Sequence, residues 1–205
     1  GAADIFGGNS VGLSFGGAGS KGAEANKAIV NSTGSIGTKG HNSSAIVAQS
    51  IGGTGGNGGL ALAVKAAGSG QLAANIALGG KGGNGGLSDE VKVIAQKSHM
   101  SNPKDITLST EGSNAAGILA QSIAGSGGNG GFSVAGTALT GGGMSVGVAL
   151  GGNAGQGAKA EKVQVTTDHN IVTTGDSSAA IVAQSVGGDG GNGGFAVSAG
   201  ADLKA

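Results

Sequence analysis

The sequence predicts an all-β fold, a repetitive parallel β-helix solenoid. Three observations predict it: a long motif returns at near-fixed spacing, the apolar runs are short and rich in β-branched residues, and no stretch carries a helical period. The motif is clearest in Ala48-Gln49-Ser50-Ile51-Gly52-Gly53, Ala120-Gln121-Ser122-Ile123 and Ala183-Gln184-Ser185-Val186, each followed by a Gly-Gly-Asn-Gly-Gly tract.

The spacing defines the unit. Gln49 to Gln121 is 72 residues and Gln121 to Gln184 is 63. A second landmark, an apolar residue before a glycine pair, falls at Phe15, Leu78 and Leu150, with intervals of 63 and 72 residues. The chain 1–205 therefore reads as a single β-helix segment of about three 63–72 residue repeats, a window of a longer array. The middle copy carries an insertion near 97–103, which holds the only proline, Pro103, as suits a loop leaving a regular scaffold.

Composition supports a narrow, repeated core. There are 49 glycines, 2% aromatic residues and no Trp, Tyr or Cys, so large side chains cannot fill a wide interior, yet 38% of residues are hydrophobic. The net charge is zero, with eleven scattered lysines and four phenylalanines, which argues against nucleic-acid binding by a basic stripe with stacking aromatics. Without cysteine there is neither a disulfide scaffold nor a thiolate zinc site. No apolar run reaches the roughly 18 residues of a spanning helix.

Strands are expected at 28–30, 45–50, 60–64, 75–78, 91–94, 105–108, 117–122, 132–134, 144–150, 162–166, 171–173, 181–185 and 195–197. Coils of roughly 20 residues stacked ~4.8 Å apart would make on the order of ten coils and a rod of ~45–50 Å, with Val, Ile, Leu and Ala in internal columns. Glycine and asparagine would turn the corners.

The residues that repeat are polar. Gln49, Gln121 and Gln184, each followed by a serine (Ser50, Ser122 and Ser185), interrupt apolar strands and predict a ladder of stacked amides along the axis. Asn57, Asn84, Asn129 and Asn192 centre the Gly-Gly-Asn-Gly-Gly tracts and read as turn residues. A calcium-binding β-roll would need a carboxylate where Asn192 stands, so no metal and no cofactor is expected. Glycine-rich nucleotide-loop patterns recur by composition alone, with no Lys-Ser or Lys-Thr in place. His41, His99 and His169 share no spacing and read as solvated loop residues. Asp89, Glu90, Asp105, Glu111, Asp168 and Asp176 form no repeated carboxylate pair, so no catalytic residue is assigned.

The segment from Gly40 through Ser43, Ala45-Ile46 and Ala48-Gln49-Ser50-Ile51-Gly52-Gly53 resembles the passenger repeats of large bacterial autotransporters and secreted β-helix adhesins. The same elements stand at 111–118 and 174–181, so the resemblance covers most of the chain. It implies a right-handed β-helix exposed on the surface of a Gram-negative bacterium, serving as a non-enzymatic adhesin stalk in adhesion, aggregation or biofilm formation. The C-terminal barrel of such proteins has no counterpart here, so a two-partner-secreted adhesin or a self-assembling extracellular fibre fits equally. A polysaccharide-processing β-helix enzyme is the third reading. The implied partners are other copies of the chain, end to end or laterally, and host or bacterial surface or matrix polysaccharide. No nucleic acid is implied, and a membrane only through a barrel or partner outside this chain.

Overall fold

The computed structural model describes residues 9–97 and 106–203, and among them the chain is all-β with no helix. The first turn holds β1 (Ser10–Phe15), β2 (Ala28–Ser32), β3 (Ile36–Thr38), β4 (Ile46–Ile51) and β5 (Ala61–Ala67). The second holds β6 (Leu72–Leu78), β7 (Val91–Ala95), β8 (Thr107–Thr110), β9 (Ile118–Ile123) and β10 (Ser133–Thr140). The third holds β11 (Met144–Leu150), β12 (Val163–Thr167), β13 (Asn170–Thr173), β14 (Ile181–Val186) and β15 (Ala196–Leu203). Each strand pairs in parallel with the strand five places along, giving five three-stranded parallel sheets. This arrangement is consistent with a β-helix-like solenoid.

One turn therefore takes the whole 63–72 residue repeat, not roughly 20 residues. The stack is three turns high, about 14 Å at the strand spacing, instead of a 45–50 Å rod. The discrepancy comes from the glycine tracts, which are not corners. Among the described residues the glycines with positive φ are Gly70, Gly141 and Gly142, all in the links after β5 and β10.

The tracts are long walls. Six of them, at 16–24, 52–60, 79–87, 124–132, 151–159 and 187–195, lie in two facing layers between the sheets. Gly16, Gly19 and Gly22 donate their N–H groups to the carbonyls of Leu78, Lys81 and Asn84 at 2.7–2.8 Å, one turn away. Gly80, Gly83 and Gly86 donate across the slab to Gly59, Gly56 and Gly53, so the two layers run antiparallel. Bonding every third residue in each direction is the period of an extended three-fold, polyproline II-type backbone. The Gly-Gly-X triplet follows from it: the first glycine bonds along the axis, the second bonds across the slab, and the third residue faces outward. A Cβ on either glycine of an inner triplet meets a neighbouring carbonyl; on Gly83 it would lie 1.9 Å from the Ser20 oxygen. Only glycine lets backbones approach this closely.

At one end of the slab the sheets β2-β7-β12, β3-β8-β13 and β4-β9-β14 enclose an aliphatic core. Its columns are Val30–Val93–Val165, Ile36–Leu108–Ile171 and Ile46–Ile118–Ile181, in register through the three turns. At the other end, sheets β1-β6-β11 and β5-β10-β15 pack face to face. Here the expected facing is inverted. Ala61, Ala63, Ala77 and Ala135 fill the interface with Ala149, beside buried Lys65, Asn75, Ser133 and Thr137. The branched residues point out, as the columns Val11–Ala74–Val146, Leu13–Ile76–Val148 and Phe15–Leu78–Leu150. Small side chains let the two sheets close tightly, and alternation then sends most of the larger apolar residues to the outer face, with Leu139 remaining inside beside Ala67 and Ala73.

Strands β1 and β3 are additions to the sequence expectation, and β5, β10 and β15 run longer than predicted. Glycine inside β1 and β3, at Gly12 and Gly37, hid them. The insertion falls almost wholly on 98–105, outside the described residues, as do His99, Pro103 and Asp105.

Candidate functional site

The repeated polar residues sit on the flanks of the stack, where β4, β9 and β14 leave the aliphatic core and enter the glycine slab. Alternation places Gln49, Gln121 and Gln184 outward and the following serines inward. The Gln49 amide donates to the Gln121 carbonyl oxygen at 2.7 Å, and the Gln121 amide donates to Gln184 at 2.6 Å. The middle amide, Gln121, thus uses one donor and one acceptor along the axis.

The serines do not continue that ladder. Ser50 and Ser122 are buried, and they bond sideways to the segment leading into β7. Ser50 Oγ accepts from the Asp89 N–H at 2.8 Å, while Ser122 Oγ donates to the Asp89 carbonyl at 3.0 Å. Ser185 Oγ makes the corresponding bond to the Glu161 carbonyl at 2.9 Å. They pin one wall of the core to the neighbouring strand and satisfy buried backbone groups.

The asparagines are not turn residues. Asn57, Asn84, Asn129 and Asn192 occupy the outward third place of straight Gly-Gly-X triplets, and none has positive φ. Their side chains serve the one N–H per triplet that the slab leaves unbonded. Asn57 Oδ1 accepts from the Asn129 N–H at 2.9 Å, Asn129 Oδ1 from the Asn192 N–H at 2.8 Å, and Asn84 Oδ1 from the Gln156 N–H at 3.0 Å. The true left-handed corners are Asn42, Asn114 and Ser177, two residues after Gly40, Gly112 and Gly175. Their shared spacing of 72 and 63 residues is the signal that could have found them.

Of the histidines, His41 is exposed and its Nδ1 accepts from the Ser113 N–H at 3.3 Å. His169 departs from the solvated reading: it is only 7% exposed, tucked into the corner between β12 and β13.

Charged groups meet at the start of β2, β7 and β12. Lys27, Glu90 and Lys162 occupy equivalent positions in successive turns. Glu90 bridges both ammonium groups, at 3.2 Å to Lys162 and in closer contact with Lys27. Hydrogen bonds from Lys27 and then Lys162 hold the Glu90 carboxyl below the usual carboxylate range, and the bond to Glu90 raises Lys27 above the usual lysine value. A depressed carboxyl contributes stability that is present above its ordinary pKa and lost as pH falls through the folded value. Thermal melts of the native chain and Glu90→Gln should therefore differ near neutral pH and converge on acidification. Added salt should shrink the gap. A gap that persists at low pH would assign the effect to packing.

Beside this triad, a recess of about 290 Å³ is lined by Glu24, Asp89 and Glu161, among others. Among the described residues no group of three metal-ligating side chains comes together. A second recess of about 670 Å³, at the outer links around Ser69, Gln71, Leu72 and Met144, carries no titratable side chain.

What the arrangement can do is repeat itself: its glutamine and asparagine ladders are spent on the turn above and the turn below. No family model, curated protein or solved structure matches the chain.

Proposed function

We propose that the chain is a structural, non-enzymatic segment of an extracellular or cell-surface adhesin, wound as a right-handed β-helix and related to the passenger repeats of large autotransporters. Right-handedness is the expectation for parallel strands joined by crossovers. The observation that carries the reading is the register of the main side-chain columns. Gln49–Gln121–Gln184, Asn57–Asn129–Asn192 and the aliphatic columns of the core stack on their own kind through three turns, with polar ladders at 2.6–2.9 Å. Such a design builds a stiff body of uniform cross-section and spends its polar groups on continuity. On this reading it works at the surface of a Gram-negative bacterium, holding cells to one another, to a host surface or to matrix polysaccharide.

A second reading, a subunit of a self-assembling fibre, is favoured by the repetition itself: every sheet is parallel and in register from turn to turn, so one turn can pair with the next whether the two belong to one chain or to two.

Beads coated with the chain test the first reading. They should clump, or adhere to polysaccharide-coated surfaces, and should release no sugar from a polysaccharide panel. Inert beads, or measurable cleavage, would sink it. Electron microscopy over a concentration series separates the second: filaments that lengthen with concentration support end-to-end stacking.

A further inference from the structure

The outer face of β1-β6-β11 is the largest feature that the ladders leave unexplained. Its three outward columns are wholly aliphatic or aromatic, and no charged residue stands on it. Phe15 is 67% exposed, Met144 68% and Leu150 57%. Together the outward side chains present on the order of 800 Å² of apolar surface, more than the largest patch of a typical monomer and about one partner's share of a standard interface. A sheet facing water alternates apolar-in with polar-out; this one does the reverse.

We propose that this face is a self-association surface, on which two copies of the chain pack sheet against sheet through the columns Val11–Ala74–Val146, Leu13–Ile76–Val148 and Phe15–Leu78–Leu150. The columns run along the stack axis as parallel ridges at a fixed spacing, so a second copy turned by a two-fold axis brings ridges of the same pitch to fill the grooves. Sheets packed this way sit about 10 Å apart with their side chains interdigitated. Ile76, near the middle of the central strand, lies close to its own mate. Lipid is the other apolar occupant of such a face. The vesicle measurement below separates it from a second copy of the chain. The contact deepens the proposed role in aggregation by naming its surface, and it rests on that reading only for its biological setting. It also differs from end-to-end stacking, which uses strand edges and not side-chain faces.

The test is mass photometry and sedimentation of the whole chain, native and with Ile76→Lys. The native chain should form dimers in the micromolar range, and Ile76→Lys should weaken them at least 100-fold. End-to-end growth, if present, would persist in the variant. The chain has no cysteine, so Ile76→Cys supplies a single thiol that should cross-link under mild oxidation, while Ala138→Cys, on the opposite sheet, should not. Both cysteine variants keep a small outward side chain, and matching melting midpoints will show that they fold. A native chain that stays monomeric overturns the proposal, as does cross-linking through Ala138→Cys at the same rate. Flotation with phosphatidylcholine vesicles that is lost in Ile76→Lys would overturn it in favour of lipid. Failure of bead clumping with the dimer intact would instead remove the adhesion reading alone.

Discussion

Gly130→Ala is expected to destabilise the chain by roughly 3 kcal/mol or more, whereas Gly193→Ala should stay within about 0.5 kcal/mol of the native chain. The two glycines hold the same place in the same Gly-Gly-Asn-Gly-Gly sequence, one turn apart. A Cβ on Gly130 would lie 1.9 Å from the carbonyl oxygen of Gly152, in the facing layer. A Cβ on Gly193 meets nothing within 4 Å, because its tract is the last of its layer in this chain. Relief at Gly130 means pushing the two layers apart. That loosens the cross-slab bonds from Gly152 to Gly131 and from Gly155 to Gly128, now 2.9 and 2.8 Å long. The loss is a large fraction of what a domain of this size has to spare. Urea or thermal melts of both variants decide it. Equal, small effects would mean that the slab is not packed as described, and equal, large ones that Gly193 is covered.

Leu108→Ala should cost about 3 kcal/mol, within the usual range for deleting a buried leucine side chain. Leu108 is fully buried in β8 and stacks between Ile36 and Ile171 in the aliphatic core. Few large side chains share that core, and its three walls are held by sheet hydrogen bonds, so it cannot collapse around a cavity. Leu62→Ala removes the same group from the outer face of β5, where Leu62 is 47% exposed, and should cost a fraction as much. Chemical denaturation of the pair measures the contrast. A small effect at Leu108 would move the core elsewhere, most directly into the alanine interface.

Both predictions use facts of different origin. The 63–72 residue period, the all-β character, most of the strands and the alignment of Gln49 with Gln121 and Gln184 follow from sequence, because residues that must stack recur at the interval that brings them into register. The corners could have been read the same way, from Asn42, Asn114 and Ser177. The role of the glycine tracts could not. A Gly-Gly-X triplet says that two places of three tolerate no side chain, but the carbonyls that forbid it belong to other tracts, 22 residues away for Gly130 and Gly152 and 72 for Gly131 and Gly59. Without those partners, the tract is indistinguishable from a flexible link. Which face of β1, β6 and β11 points inward was equally hidden. Period-two alternation defines two faces and leaves open which is buried. Only the close approach of the second sheet, spaced by alanine and serine, decided that the larger residues lie outside.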